Sequence, residues 1–432
     1  MKIVWICHFS NPEIRRHLSL SNNWIANKFR KAIGIKQSAP YTDFAPWVTN
    51  MIKEFERFEN IELHIISPHR GLKRYKQSFT IRNIHYHFFK PDLPILNTRL
   101  DMFLKKSKFR LNRFLVSGFV KKVQPDIVNL IGAENPYYSI TALDVNNIPV
   151  YLSCQTVYSN PLRYEHSTVN QHRWDTELMI HRNILYFGCT GRMHRDLVLK
   201  NNSNAIVFKM FFPIQKPKGI VQQSKEYDFV FFAGGLDKKK GTEDAIYALQ
   251  KVKEIFPKVT LNMIGRCSAE YKNHLQNIID ELKLNDNIIF TDSFPKHADL
   301  LTHITKSRFA VLPNKLDVIS GTIIESILLD VPVVTYKTTG SPYLNKNGEA
   351  VLLANIGDID TLAQQMIELM RNPDKAQQLA ANARRFVEEE FDNTKSAKRL
   401  LNNYHQVIEH YQNGKVIDTN QLFDTNEFPI YD

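Results

Sequence analysis

A chain of 432 residues exceeds the ~150-residue average domain severalfold, so two or three domains are expected. With 43% hydrophobic and 23% charged residues, and only 16 glycines and 19 prolines, the sequence is neither disordered nor fibrous. The formal net charge of +12 is unevenly held: residues 1–200 carry 29 basic and 15 acidic side chains, and the remainder carries 27 and 29. An excess confined to one half points to an anionic partner for that half, whether nucleic acid, membrane or a phosphate-bearing substrate. No stretch approaches the ~18 consecutive apolar residues of a membrane span. The start, Met1–His8, lacks the pattern of a cleaved signal. Cys7, Cys154, Cys189 and Cys267 show no metal-ligand spacing and read as reduced thiols of a cytoplasmic protein.

In chain order, Ile3–Phe9 is a short apolar run of the kind buried on both faces of a parallel sheet. A polar loop follows to about Tyr41, and Asp43 is placed to cap a helix from Phe44 with Pro46 in its first turn. Strands are predicted at Ile61–Ser67, Phe79–Phe89, Asp126–Ile131, Pro149–Cys154, Ile184–Cys189 and Ala205–Lys209. Helices are predicted at Arg99–Val123, Tyr137–Asp144, His172–Arg182 and Met193–Leu199. Residues 211–226, with two prolines, a glycine and polar side chains, interrupt this alternation. It resumes with strands at Asp228–Ala233, Val259–Ile264, Asn287–Thr291, Phe309–Leu312 and Val331–Tyr336. Helices fall between them at Thr242–Phe256, Ser268–Leu282, His297–Thr305 and Thr322–Leu329, and helical pieces run from about Ile359 to Tyr411. The expected fold is α/β, with two doubly wound Rossmann-like domains facing across a cleft. The domains span 1–212 and 227–392, joined by a linker at 213–226. A C-terminal helix and tail, 393–432, is expected to pack back on the first domain.

The richest stretch is Val311–Thr335, where a strand ends, a loop carries Asp317 and Ser320-Gly321-Thr322, and a helix begins with Glu325 in its first turn. A glycine-containing loop feeding a helix N-terminus suits an anion, because free N–H groups and the helix dipole point the same way. Flanking carboxylates can accept hydrogen bonds from sugar hydroxyls, so the chemistry suits a nucleotide sugar. On spacing alone, Asp317 also reads as a solvated loop acid and Glu325 as a partner of the helix dipole.

The segment resembles the retaining family 4 glycosyltransferases of the GT-B fold. Their acid, seven residues, then glutamate reads here as Asp317-x7-Glu325, with Asp where Glu is usual and Ser320 where the family has glycine. The resemblance implies that Asp317 binds donor-sugar hydroxyls and Glu325 the ribose. Gly234-Gly235-Leu236-Asp237-Lys238-Lys239-Lys240-Gly241 resembles the family's Gly-Arg-Leu-x3-Lys-Gly element. Lys240 then falls on the lysine that neutralises the donor pyrophosphate, and Gly235 on the usual arginine. Lys238, Lys239 and Arg266 are three candidates for the missing cation. Gly265 and Arg266 resemble the strand end that approaches the nucleotide, and the loop with Phe294 resembles the one that meets the base. The likeness covers about 228–392, and the first half only as architecture. It implies hexosyl transfer with retention from a nucleotide diphosphate sugar to a glycan or lipid-linked acceptor in cell-surface polysaccharide synthesis, without metal or cofactor. A nucleotide-sugar epimerase or hydrolase on the same scaffold, and a non-catalytic membrane-attached protein, are the alternatives.

The first half is expected to supply acceptor contacts from strand ends, where His8, Asn11 and Glu134 lie; a capping or loop role is the plainer reading of such residues. Arg173 and Glu177, four apart on a helix, read as a surface ion pair. Arg99–Val123 is basic and amphipathic, fit either to lie on an anionic bilayer at the inner face of the membrane or to pack on the domain with a basic outer face. No nucleic-acid-binding motif is present, so nucleic acid is not expected as a partner.

Overall fold

The computed structural model describes residues 1–21, 44–91, 109–166, 168–214, 216, 217, 219–294, 296–316, 319–338 and 340–424. They form two α/β units. The first sheet comprises β1 (Lys2–Ile6), β2 (Glu62–Pro68), β3 (Lys76–Ile81), β4 (Ile84–Phe89), β5 (Ile127–Ile131), β6 (Val150–Ser153), β7 (Tyr186–Cys189) and β8 (Ile206–Lys209), in the order β3-β4-β2-β1-β5-β6-β7-β8. The second comprises β9 (Tyr227–Gly235), β10 (Leu261–Arg266), β11 (Ile288–Thr291), β12 (Ser307–Leu312), β13 (Val333–Tyr336) and β14 (Leu352–Ala354), in the order β11-β10-β9-β12-β13-β14. All pairings are parallel except β3 with β4.

Helices cover both faces of each sheet, which is why β5 is buried at every position and is apolar except at Asn129. In each sheet the strand order reverses at the first strand, β1 lying between β2 and β5, and β9 between β10 and β12. That reversal opens a crevice beyond the carboxyl ends of the strands, where ligands of doubly wound sheets bind.

The chain between β8 and β9 carries no helix or strand among its described residues, yet it is strapped down. The Ile214 N–H donates to Asn393 Oδ1 at 2.9 Å, and Asn393 Nδ2 returns a bond to the Ile214 carbonyl. Phe211 stacks on Tyr343 of the second unit, with ring centroids 5.4 Å apart. The C-terminal helix Asn393–Asn413 lies against the first sheet. There Asn129 Nδ2 donates to the Tyr404 hydroxyl at 2.6 Å and Asn403 Nδ2 to that of Tyr151 at 3.2 Å, so buried polar groups fix its docking.

Several local expectations are corrected. Phe79–Phe89 is not one strand but the hairpin β3–β4, turning at Arg82, whose φ is 54° and whose guanidinium holds Glu56 at 2.7 Å. The polar loop after β1 contains a short helix, Pro12–His17. Asp43 lies outside the described residues; the helix that follows starts at Pro46, preceded by Ala45 in the left-handed region. Of Arg99–Val123, residues 99–108 lie outside the described set and the helix runs Arg110–Val123. Arg173 and Glu177 are not a surface pair. Glu177 is fully buried and accepts the Tyr158 and Ser159 N–H groups at 2.9 and 2.6 Å, while Arg173 Nε donates to the Glu134 carbonyl.

Candidate functional site

The three lysines after β9 form a single 3-10 turn, Lys238–Lys240, because Asp237 caps it: its carboxylate accepts the Lys240 N–H at 3.0 Å. Gly241 ends the turn at φ 72° and packs so tightly that a Cβ there would strike the Pro313 carbonyl. The chain therefore enters the helix Thr242–Lys253 pressed against the end of β12. The loop after β12 is tied to the same turn. The Lys315 N–H donates to the Lys239 carbonyl at 3.0 Å, and Lys315 Nζ makes a buried ion pair with Asp244 at 2.9 Å. Tyr336 donates its hydroxyl to the other Asp244 oxygen at 2.7 Å. Asp317 itself lies outside the described residues, while Leu316 just before it lies with Lys239 and Lys240.

Ser320 is the N-cap of the helix Gly321–Leu328, yet its hydroxyl makes no cap bond and instead pairs with Thr322 Oγ1 at 2.8 Å. Among the described residues no side chain caps that helix, and the Ser320 carbonyl accepts the Ile323 N–H at 3.0 Å. Glu325 is not in the first turn but one turn further in, and it pairs with His297 Nε2 at 3.0 Å. The hydrogen bond to Glu325 raises the His297 pKa above its ordinary value, against the opposing effect of burial.

The glycines at the strand ends divide by role. Gly265 has φ 153°, and a Cβ there would lie 2.6 Å from the Ala233 carbonyl, so packing demands glycine. Gly234 and Gly235 are different. A Cβ at Gly235 would meet only the Arg266 carbonyl, at 3.7 Å, and one at Gly234 would meet nothing within 4 Å. Arg266 is the register partner of Gly235 and is exposed, its Nε donating to Ser293 Oγ at 2.8 Å. Phe294 is half-buried against the His303 ring, with centroids 5.0 Å apart.

Between the two units lies a cavity of about 180 Å³ lined by Thr156 and Arg163 from the first and by Lys239, Lys240 and Leu316 from the second. Of the three cations weighed as replacements for the one Gly235 lacks, the cavity takes Lys239; neither Lys238 nor Arg266 lines it. Lys239 also reaches Asp237 at 3.3 Å, a surface pair.

On the first unit, His8 and Glu134 follow the adjacent strands β1 and β5. His8 accepts from or donates to the Tyr137 hydroxyl at 2.7 Å, and burial, with lesser contributions from His69 and Arg70, lowers its pKa to about 4. It is therefore a neutral imidazole at neutral pH. Glu134 is 8% exposed, burial pushes its pKa up to about 7, and its Oε2 has no hydrogen-bond partner among the described residues. Asn11 is a helix cap, its Oδ1 accepting the Ile14 N–H at 2.9 Å and its Nδ2 donating to Thr49 Oγ1 at 3.2 Å. Among the described residues, the group with metal-ligand proximity is Glu62, His64 and His85, at the amino ends of β2 and β4 and so at the opposite end of the sheet from the cleft.

His297, Lys315 and Arg163 were not singled out by sequence. The partners of His297 and Lys315 lie far along the chain, and Arg163, although held by nearby Tyr158, reaches the cavity only through the fold.

Residues 215–386 match the family model described as glycosyl transferases group 1. N-acetyl-alpha-D-glucosaminyl L-malate synthase of Bacillus anthracis is 24% identical over 204 residues, 47% of this chain and 51% of that protein. The capsular polysaccharide biosynthesis glycosyltransferase CapM of Staphylococcus aureus is 26% identical over 166 residues, 37% of this chain and 41% of that one. The chain thus spans about half the length, or less, of the curated relatives it matches. Sucrose-phosphate synthase of Thermosynechococcus elongatus superposes with a TM-score of 0.67 at 14% identity, over 94% of this chain and 99% of that one. The chain has the GT-B fold, and its residues 215–386 form a glycosyl transferases group 1 domain.

Proposed function

We propose that the chain is a retaining, family 4-type glycosyltransferase that moves a sugar from a nucleotide diphosphate sugar to a glycan or lipid-linked acceptor. The observation that carries this reading is the pair Lys239 and Lys240, which line the interdomain cavity together with Leu316 of the loop that leads to the helix Gly321–Leu328. Cations of the turn and amides of a helix N-terminus are suited to stabilise the diphosphate as it leaves, which is where charge develops in glycosyl transfer. In this reading Lys240 neutralises the pyrophosphate, Glu325, oriented by His297, binds the ribose, and Asp317 binds the donor sugar. Gly234, Gly235, Gly265 and Arg266 border the nucleotide, with Phe294 near the base and Ser320, Gly321 and Thr322 at the phosphates. In this reading cations of the chain meet the leaving charge and no metal is required; turnover should be unchanged by EDTA, and its loss would overturn this.

The name of one relative, a capsular polysaccharide biosynthesis glycosyltransferase, favours a role in cell-surface polysaccharide synthesis. The helix Arg110–Val123 supports membrane contact: Phe114 is 75% exposed, Leu111 shares its outward face, and Arg110, Lys121 and Lys122 are exposed with them. Salt-sensitive sedimentation with phosphatidylserine vesicles is expected; none would remove the membrane from the account.

The test of the donor site is thermal stabilisation by UDP-glucose, UDP-N-acetylglucosamine and GDP-mannose, since a ligand of the folded state raises its stability. At least one should stabilise the protein, and Lys240→Ala should lose the effect. No stabilisation by any nucleotide sugar would overturn the reading.

A further inference from the structure

One face of the first sheet is polar at the end away from the cleft. Side chains two apart on a strand share a face, so Glu62 and His64 of β2 lie together, as do His85 and His87 of β4. The parallel pairing sets His64 beside His85, and the antiparallel strand β3 sets Thr80 beside His85 and Ser78 beside His87. The other face of the same strands carries Leu63, Ile65, Tyr86 and Phe88, all buried. Imidazoles thus stand where a helix-covered sheet ordinarily carries aliphatic side chains. His64 is 8% exposed, its ring stacked on those of His85 and His87 at centroid distances of 4.5 and 5.3 Å. Phe119 of the helix Arg110–Val123 packs on His87, with centroids 5.1 Å apart.

Glu62, His64 and His85 each offer one ligand atom, and these atoms lie within 4.8 Å of one another. Their neighbours hold the rings as the hydrogen-bond partners of metal ligands do. His64 Nε2 meets Glu62 Oε1 at 2.8 Å, and its Nδ1 lies 3.0 Å from His87 Nε2. His87 Nδ1 is in turn 2.9 Å from the Ser78 hydroxyl. Thr80 Oγ1 engages His85 Nδ1 at 2.9 Å, so Nε2 is the nitrogen of that ring left for a ligand. With a metal on His64 Nε2, its Nδ1–H donates to His87 Nε2 and the Nδ1–H of His87 donates to Ser78, so both rings stay neutral. Glu62 supplies the anionic oxygen from the exposed rim, where Lys2 pairs with its other oxygen at 3.6 Å. Tetrahedral ligand atoms around zinc stand about 3.3 Å apart, an approach that side-chain rotation supplies without moving the paired strands. Two imidazoles and a carboxylate suit zinc better than magnesium or calcium, which prefer all-oxygen sets.

We propose that Glu62, His64 and His85 bind one zinc ion, with water in the fourth position, and that the ion joins β2 to β4 and stabilises the first domain. The site lies at the amino ends of these strands, so the ion takes no part in sugar transfer and is independent of the donor-site reading.

The test strips the untagged full-length chain with EDTA and titrates it with Zn2+ against a chromophoric chelator, with Mg2+ as the comparison. Wild type should bind Zn2+ in a one-to-one ratio with a dissociation constant at or below about 1 µM, and Mg2+ should not displace it. Glu62→Gln and His85→Ala should each weaken zinc about 100-fold or more, and Thr80→Val, which frees His85 Nδ1 but removes no ligand, about tenfold. At free Zn2+ about 100 times the dissociation constant, the wild-type melting temperature should rise by about 5 °C, and those of Glu62→Gln and His85→Ala should not. Co2+ in place of zinc should give the intense visible absorption of a tetrahedral site, lost in His85→Ala. Turnover well below the melting transition should be the same with and without zinc. Absence of one-to-one zinc binding by wild type, or equal affinity in wild type, Glu62→Gln and His85→Ala, would overturn the site. Turnover that stops on zinc removal and returns on its addition, in wild type that remains folded, would overturn its purely structural role.

Discussion

Glu134→Gln isolates the energetic cost of placing an acid beneath the cleft. Its carboxyl is buried at the end of β5, one oxygen has no partner among the described residues, and burial raises its pKa from 4.5 to about 7 despite Arg173 and Arg163 nearby. The folded chain therefore holds this proton more tightly than the unfolded chain, and stability from this group falls as pH rises from the ordinary carboxyl range to about 7. Shifting one carboxyl by this much corresponds to about 3 kcal/mol lost over that interval. Glutamine keeps the shape and has no proton to lose. All four tryptophans, Trp5, Trp24, Trp47 and Trp174, lie in the first half, so their fluorescence follows unfolding of the domain that holds Glu134. In urea titrations the variant should match wild type within about 1 kcal/mol at pH 5 and exceed it by about 2 to 3 kcal/mol at pH 8. Parallel stability curves at the two pH values would refute the burial argument.

Two further outcomes follow from the second domain. The His297 imidazole should titrate above 6.5 by NMR and return toward that value in Glu325→Gln, because the carboxylate holds the proton on. Its stabilising contribution is present below pH 6.5 and is lost as pH rises through the raised value; an unmoved titration in Glu325→Gln would disconnect the pair. Lys315→Met should destabilise the second domain by about 3 kcal/mol, since Asp244 is left buried with only the Tyr336 hydroxyl as partner. A calorimetric loss below about 1 kcal/mol would show that water reaches Asp244.

The strands buried on both faces were the most legible part of the chain. β1, β5 and β9 appear in the sequence as largely apolar runs, because a parallel sheet covered by helices has no wet face to break the pattern. The β3–β4 hairpin was hidden for the opposite reason: Phe79–Phe89 favours strand almost throughout, and its turn uses Arg82 and Asn83 with no glycine to mark it. Arg173 and Glu177 misled because spacing along a helix says which residues share a face, not whether that face is wet. In the site, the lysine turn was readable as a local motif, whereas His297 reaches Glu325, Lys315 reaches Asp244 and Arg163 reaches the cavity only through the fold.

The central claim is sugar transfer across the cleft, and one NMR experiment tests it directly. The nucleotide sugar that best stabilises the protein is incubated with and without a panel of saccharide and lipid-linked acceptors, and the anomeric signals are followed. The account predicts that nucleoside diphosphate is released only when an acceptor is present, that the product keeps the donor's anomeric configuration, and that Lys240→Ala and Glu325→Ala abolish turnover. An inverted product, donor consumed equally without acceptor, or full turnover in Lys240→Ala would contradict it.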